Sequence, residues 1–170
     1  AIVAFDKTKA KKLIIDLRGN PGGYLEAALD MTSWFIPAGK VVVTQDYGTK
    51  SPQEQLRSYG HGPVPADVKI VVLVDGGSAS ASEILAGALQ DYGRATLVGQ
   101  QTFGKGSVQE YLKVTDDTGL KVTIARWLTP KGNSISVSGL KPDVEVKPTE
   151  EQIKNKQDAV LDKAVEILSK

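Results

Sequence analysis

The sequence predicts an α/β or α+β fold, in which helices pack against a sheet. Apolar runs rich in β-branched residues and bounded by turn residues predict strands over 12–18, 40–45 and 69–75. Helical patterns lie between them, over 24–36 and 80–92. The runs LIID and IVVLV do not alternate with polar residues. We therefore expect these strands to lie in a sheet that is covered on both faces.

The second half of the chain predicts more strands and a terminal helix. The further strand patterns cover 95–100, 107–115, 120–129 and a short edge at 144–148. Apolar residues at helical spacing across 149–170 predict an amphipathic helix that packs on the core or extends it. We expect one core domain over 1–148, followed by this helix. The stretch 48–67 is polar and predicts a long surface excursion.

Composition excludes several kinds of site. The chain has 170 residues, a net charge of +1 and 41% hydrophobic residues, which is typical of a globular domain. Its lysines are scattered, unlike those of a nucleic-acid-binding surface. No apolar run is long enough to span a membrane. Because the chain has no cysteine and His61 is its one histidine, thiol catalysis and multi-histidine metal centres are excluded, and we expect neither metal nor cofactor.

The stretch GQQTFGKGSVQ, residues 99–109, has most of the pattern of a nucleotide-binding phosphate loop. The strand that ends in Asp75 also has the form expected of a magnesium-binding partner. However, Gly106 follows Lys105 at the position where such a loop requires Ser or Thr. The next residues alternate like a strand, so the helix N-terminus that would face the phosphates is missing. Nucleotide binding is therefore the weakest hypothesis.

The segment DGGSASASEILAGALQD, residues 75–91, favours nucleophilic chemistry. A strand ends, two glycines form a turn, and a helix begins among small residues. Small side chains let a substrate backbone approach, and the free amides of a helix N-terminus can stabilise an oxyanion. Ser80 is well placed there as a nucleophile. Helix capping explains the segment equally well, because Ser80 and Glu83 have the spacing of a capping box.

A serine nucleophile also needs a base. His61 lies among turn residues in YGHGPVP, where a lone histidine is usually exposed. Lys105 is the other candidate, provided that its amine is desolvated and neutral. A helix that begins at Ser80 runs out by roughly 18 Å, and strand 95–100 returns by a similar distance, so the TFGKG loop should arrive near Ser80. In a strand, Gln109 would share a face with Lys105 and could orient its ammonium group.

These motifs resemble those of the carboxy-terminal processing proteases, the tail-specific serine endopeptidases of peptidase family S41. NPGG after a strand, GSASASEILAGALQD and TFGKGSVQ occur in that order, and the resemblance extends from about Lys12 to Asp143. It implies that Ser80 is the nucleophile, Lys105 the general base and Gln109 the residue that orients the lysine. It also implies a spiral of β-sheets with packed helices, like the fold of crotonases and the caseinolytic protease.

The resemblance carries over to further residues. It implies an oxyanion hole formed by the backbone amide of Ala81 and by that of Gly22 or Gly23, with no preference between the two glycines. Three more residues match motif positions and are expected to have supporting roles: Glu83, Asp91 and Thr102.

The resemblance also implies a biological setting. It predicts protein or peptide substrates with apolar C-terminal tails and a location outside the cytoplasm, in the bacterial periplasm or cell envelope. Family members usually carry a PDZ domain before the core, whereas this sequence opens abruptly with AIVAFDKTKAKK. We therefore expect a protease core that is truncated at its N-terminus and lacks its PDZ domain.

Two other functions stay open beside that of a Ser–Lys(–Gln) endopeptidase. One is a proteolytically inactive fragment that binds peptides, and the other is the nucleotide-binding protein described above. The terminal helix also allows association into a homo-oligomer.

Overall fold

The structure, a computed structural model, describes residues 2–62 and 64–170. In chain order its helices and strands are α1 (Ile2–Lys7), β1 (Lys12–Asp16), α2 (Leu25–Ser33), β2 (Val41–Asp46), β3 (Glu54–Arg57), β4 (Lys69–Val74), α3 (Ala81–Asp91), β5 (Thr96–Gly99), β6 (Ser107–Lys113), β7 (Gly119–Leu128), β8 (Val144–Glu145), α4 (Glu150–Lys154) and α5 (Ala159–Ser169). Strands β1, β4, β5 and β8 form a parallel sheet in the order β1-β4-β5-β8. The others form an antiparallel sheet in the order β3-β2-β7-β6. This mixed architecture confirms the predicted fold class.

The central strand β4 is buried on both faces, as its unbroken apolar run predicted. Ile70, Val72 and Val74 face a core shared with α2 and α3. Val71 and Leu73 face the opposite side, where a second apolar cluster is completed by α5. The side chains that α5 contributes to this cluster are Val160, Ala164 and Leu168. Burying a side chain of this size stabilises a fold by about 1.5–3 kcal/mol, so α5 is an integral part of the sheet's packing.

The structure differs from the sequence-based expectation in three elements. Helix α1 occupies the opening residues, and β3 forms within the stretch 48–67, where an excursion without a strand was predicted. In β3 only Leu56 is partly buried, so the strand has almost no apolar pattern to read. The terminal segment forms two helices instead of one, because Thr149 caps α4 and Asp158 begins a new N-terminus at α5.

The parallel sheet gathers three loops at one edge. The NPGG turn follows β1, the turn that precedes Ser80 follows β4, and the loop that carries Lys105 follows β5. The carboxyl ends of parallel strands lie at the same edge, which is where open α/β sheets bind ligands. None of the helices described here is long and apolar enough to cross a membrane.

Candidate active site

The structure brings the three predicted catalytic side chains to one cavity of about 290 Å³. Ser80 precedes α3, Lys105 lies in the loop between β5 and β6, and Gln109 lies in β6. The remaining wall consists of residues from α2, α3, β6 and β7 and from the NPGG turn: Gly23, Leu25, Ala81, Ile84, Ser107, Val108, Lys121 and Trp127. The helix-and-return geometry expected from the sequence therefore describes this region correctly.

Ser80 has an unusual backbone conformation, with φ of 56° and ψ of −118°. Its amide donates to Glu83 Oε2 at 2.9 Å, which is the carboxylate half of the predicted capping box. The amide of Glu83 donates to the carbonyl oxygen of Ser80 at 2.8 Å. The pair has the capping-box arrangement, but the Ser80 hydroxyl makes no capping hydrogen bond. Capping thus accounts for the glutamate and leaves the hydroxyl available for chemistry.

Glu83 is fully buried and connects the serine to the lysine loop. Its Oε2 accepts hydrogen bonds from the amides of Ser80 and Lys105, both at 2.9 Å. Its Oε1 accepts from Thr102 Oγ1 at 2.5 Å and from the Gly104 amide at 2.8 Å. Four donors therefore surround one carboxylate, which explains how it is buried without a cation. Through this group, the backbone before α3 and the backbone before β6 are fixed relative to each other.

The side chain of Lys105 is exposed, so the expected desolvation of its amine is not present in this structure. The hydrogen bonds of the described residues include none between Lys105 Nζ and Ser80 Oγ, although both residues line the cavity. Lys105 is thus an exposed residue in the wall of a cavity that is open to solvent.

The expectation that Lys105 and Gln109 share one face of a strand is wrong, because Lys105 does not lie in the strand. Strand β6 begins at Ser107, after the lysine, and its pairing with β7 is interrupted by a bulge between Val108 and Gln109. Val108 pairs with Ala125 and Gln109 with Thr123, so the extra residue of the bulge is Ile124 of β7, and bulges are frequent next to functional sites. Gln109 lines the cavity together with Ser107 and Val108.

The two candidate glycines of the oxyanion hole have different roles. The Gly22 amide donates to Asn20 Oδ1 at 3.0 Å, so it is already occupied. Gly22 has φ of +90°, and a Cβ there would lie 2.5 Å from Ala79 O and 2.7 Å from Ala81 N. Gly22 is therefore required for close approach of the two backbones. Gly23 lines the cavity, and its amide has no partner among the described hydrogen bonds.

The other two predicted supporting residues lie in different places. Thr102 is buried and, besides donating to Glu83, its hydroxyl accepts from the Leu140 amide at 2.7 Å, so it ties the lysine loop to the chain beyond β7. Asp91 lies at the far end of α3 and accepts from the Lys131 amide at 2.8 Å. Asp91 is therefore outside the cavity, where it anchors a turn.

His61 does not belong to the cavity. Its Nε2 pairs with Asp30 Oδ1 at 2.8 Å, and its ring packs against Trp34 and Tyr59 with centroid distances of 5.2 and 5.7 Å. The phosphate-loop pattern is likewise not realised, because the loop that carries Lys105 leads into β6 and not into a helix.

A second cavity, of about 200 Å³, adjoins the first, and Gly23 and Ala81 line both. Its deeper wall is apolar, with Leu17, Ala28 and Leu85. A peptide whose carbonyl is held by this shared wall would have an apolar recess beside it.

An ion-pair cluster links α5 to the turn before NPGG. The Arg18 guanidinium donates to both carboxylate oxygens of Asp158, at 2.7 and 2.9 Å, and to both of Asp16, at 3.0 and 2.7 Å. These hydrogen bonds raise the pKa of Arg18 and lower the pKa of both carboxyl groups. No local signal could reveal Asp158, because it lies 140 residues from its partner.

Comparison with known proteins places the chain in a family. Residues 1–146 match the model of Peptidase family S41. The carboxy-terminal-processing protease of Bartonella bacilliformis is 44% identical over 138 residues, covering 81% of this chain and 31% of that protein. The carboxyl-terminal-processing protease of Synechocystis is 43% identical over 143 residues, covering 84% and 33%.

The solved structure of a photosystem II D1 C-terminal processing protease is similar with a TM-score of 0.79 and 34% identity, over 87% of this chain and 38% of that one. The chain thus spans about a third of the length of these relatives. The matches bear out the family and fold that the motifs predicted: the chain belongs to peptidase family S41.

Proposed function

We propose that this chain is the catalytic core of a serine endopeptidase that cleaves protein substrates near their C-termini by a Ser–Lys mechanism. The observation that carries the proposal is the convergence of Ser80, Lys105 and Gln109 on one cavity. The printed names of the relatives, which are C-terminal processing proteases, support the same reaction.

In the proposed acylation step, Ser80 Oγ attacks the carbonyl carbon of the scissile bond while the neutral amine of Lys105 accepts the hydroxyl proton. The carbonyl oxygen becomes an oxyanion and accepts hydrogen bonds from the amides of Ala81 and Gly23. Ala81 carries the first N–H of α3, which has no acceptor within the helix. We prefer Gly23 to Gly22 because the Gly22 amide is occupied by Asn20.

Collapse of the tetrahedral intermediate breaks the C–N bond. The Lys105 ammonium returns its proton to the leaving amine, which departs as the new N-terminus of the released peptide. Lys105 then accepts a proton from a water molecule that attacks the acyl-enzyme ester. The bond between the acyl carbon and Ser80 Oγ breaks, the Lys105 ammonium returns the proton to Oγ, and the acyl part leaves as the new C-terminal carboxyl group. The side-chain oxygen of Gln109 accepts a hydrogen bond from the ammonium and orients it. The reaction needs neither a metal nor a cofactor.

Because the cavity is open to solvent, substrate binding has to complete the catalytic arrangement. Proton transfer requires Lys105 Nζ within about 3 Å of Ser80 Oγ, and catalytic contacts are often longer before substrate binds. A peptide that fills the cavity would displace water from the exposed lysine and favour its neutral form. The adjacent apolar cavity supports a preference for substrates with apolar side chains. For the periplasmic or envelope location, family resemblance is the support.

The test is cleavage of an unfolded protein that carries an apolar C-terminal tail. Ser80→Ala and Lys105→Ala should each lower the rate by a factor on the order of 10³ or more. His61→Ala should cleave at the parent rate, since His61 pairs with Asp30 outside the cavity. Full activity of Lys105→Ala would rule out the mechanism.

A second candidate function is peptide binding without hydrolysis. The observation that favours it is the exposed Lys105, which makes no hydrogen bond to Ser80. A serine-directed phosphonate distinguishes the two functions: labelling of Ser80 that is lost in Lys105→Ala supports the protease. A chain that binds peptides and resists labelling is a binding module.

A further inference from the structure

The active-site cavity contains a second lysine that the sequence motifs do not mark. Lys121 lies in β7, directly opposite Tyr111 of β6, and lines the same cavity as Ser80 and Lys105. Residues directly opposite each other in an antiparallel pair lie on one face, as do residues two apart on one strand. Lys121 therefore shares its face with the neighbouring pair Gln109–Thr123.

The charge of Lys121 has no counterpart within the described residues. None of the residues that line the cavity is acidic. Glu110 pairs with Val122 and therefore lies on the opposite face of the hairpin. Asp116 pairs with Lys113 at 2.7 Å, at the far end of the hairpin. Glu83, below the cavity, already accepts four hydrogen bonds.

We propose that Lys121 binds a carboxylate of the substrate and so selects peptides with a negative charge close to the scissile bond. The inference rests on the proposed protease function and names a specificity-determining residue for it. The carboxylate is either the C-terminal α-carboxylate of a short tail or the side chain of an Asp or Glu.

The spacing of residues in the β6–β7 hairpin sets the distance between the substrate's charge and the scissile bond. Lys121 is two residues along β7 from Thr123, which pairs with Gln109, and two strand residues span about 7 Å. An extended peptide covers the same distance in about two residues. Allowing for the length of the lysine side chain, the charge should lie within about four residues of the bond that Ser80 attacks.

Two lysines facing one cavity also explain why an anion is the favoured occupant. The wall of the cavity carries these two basic side chains and no acidic one. A carboxylate bound at Lys121 supplies the opposite charge that the wall lacks. A cation of the substrate at this position would face Lys121 without a counterion, so the arrangement discriminates against basic tails.

The test measures peptide binding to the chain with Ser80→Ala, which prevents turnover. Fluorescein-labelled peptides share one apolar sequence and end either in a free carboxylate or in a carboxamide. Further amidated peptides carry a single Asp at each of the last four positions. We expect one of the carboxylates to tighten the Kd about 5-fold relative to the neutral amide, as an ion pair in a partly open cavity should. The peptide whose affinity increases identifies the source of the carboxylate.

Substitution of the lysine separates this effect from general charge attraction. Lys121→Gln should abolish the 5-fold preference, and Lys121→Glu should reverse it in favour of peptides with Lys at the same position. Lys113→Gln removes a lysine from the same hairpin, but outside the cavity, and should retain the preference.

The proposal is overturned if the preference survives in Lys121→Gln, if neither the free-acid peptide nor any Asp peptide binds the parent chain more tightly than the neutral amide, or if no peptide binds. Its failure is distinguishable from that of the protease function. Carboxylate-selective binding in a chain that resists the phosphonate would retain the role of Lys121 and exclude catalysis. Rapid labelling by the phosphonate without carboxylate-selective binding would retain catalysis and exclude the role of Lys121.

Discussion

Ser80 adopts a backbone conformation that a residue with a side chain rarely occupies. Its φ of 56° combined with a ψ of −118° lies outside the left-handed helical region that other residues tolerate best. Such conformations cost on the order of 1–3 kcal/mol and persist where surrounding structure enforces them. Here the Glu83 carboxylate holds the Ser80 amide, and Gly22 lies against the same segment. In α/β-hydrolases, a strained turn between a strand and a helix exposes the hydroxyl of the nucleophilic serine.

This strain predicts that Ser80 lowers the free energy of unfolding and that its hydroxyl is kept for function. Ser80→Gly should raise the free energy of unfolding by about 1 kcal/mol relative to Ser80→Ala, because glycine adopts the conformation without steric conflict. Both variants lack the hydroxyl and should be inactive. Urea unfolding of the two proteins measures the difference. A glycine variant less stable than the alanine variant would show that the turn is unstrained.

Glu83 makes a second residue-scale prediction. Glu83→Gln replaces one acceptor oxygen by a donor, so two of its four donors would face an N–H₂ group. We expect a loss of about 3 kcal/mol in unfolding free energy and a large fall in kcat, because Ser80 and Lys105 lose their common anchor. Glu110→Gln, on an exposed strand position, is the control and should change stability by less than about 0.5 kcal/mol. A fully active Glu83→Gln would contradict the anchoring role.

At this scale the sequence revealed only part of the arrangement. The capping-box spacing identified Glu83, but its partners Thr102 and Gly104 lie on a loop about twenty residues later. This second set of donors to Glu83 could not be predicted from the local sequence. The choice between Gly22 and Gly23 likewise depended on a hydrogen bond to Asn20, which only the folded turn shows.

Among the elements, the apolar strands and the helices α2 and α3 were predicted, whereas α1, β3, the bulge and the break between α4 and α5 were not. The lengths of α3 and β5 set the return of the Lys105 loop, so element geometry alone brought it to Ser80. The bulge at Val108 and Gln109 arises from pairing with β7, and pairing register is not visible in a single strand. The break between α4 and α5 depends on Asp158, whose partner Arg18 is remote in sequence.

Helix α5 supplies the prediction at this scale, through its contact with the turn before NPGG. Asp158 caps α5 by accepting from the Leu161 amide at 3.0 Å and also pairs with Arg18. Asp158→Asn keeps a capping group and loses the ion pair, so it should cost about 0.5–1 kcal/mol of unfolding free energy. Asp158→Ala loses both and should cost about 2 kcal/mol. Asp162→Asn, which alters one long hydrogen bond of 3.3 Å to Gln157, is the matched control.

The ion pair also sets a pH dependence. The pKa of Asp158 lies below its ordinary value of 3.8, chiefly because of the hydrogen bonds from Arg18. A carboxyl group whose folded pKa is lowered stabilises the fold above its unfolded pKa and loses that contribution as pH falls through the folded pKa. The stability difference between the parent chain and Asp158→Asn should therefore be constant near neutral pH and shrink below about pH 4. A difference that persists at pH 2 would exclude the ion pair as its cause.

Over the whole molecule, one sheet edge supplies the chemistry, and the second sheet closes the cavity. The three loops that follow β1, β4 and β5 carry the proposed oxyanion hole, nucleophile and base. The antiparallel sheet adds Gln109 and Lys121 from its β6–β7 hairpin. The sequence motifs covered the first group because each motif is continuous along the chain. They missed Lys121 because its position follows from strand pairing.

The buried Glu83 carboxylate has a consequence for how the protein opens. If the loop of residues 102–105 detached while α3 stayed folded, a buried anion would lose three of its four donors. That state is costly, so small local openings of the loop should be suppressed. The amide hydrogens of Gly104 and Lys105 should then exchange with solvent deuterium only as slowly as the core of β4, although the Lys105 side chain is exposed. Native-state exchange resolved by NMR would show whether this loop unfolds only together with the domain.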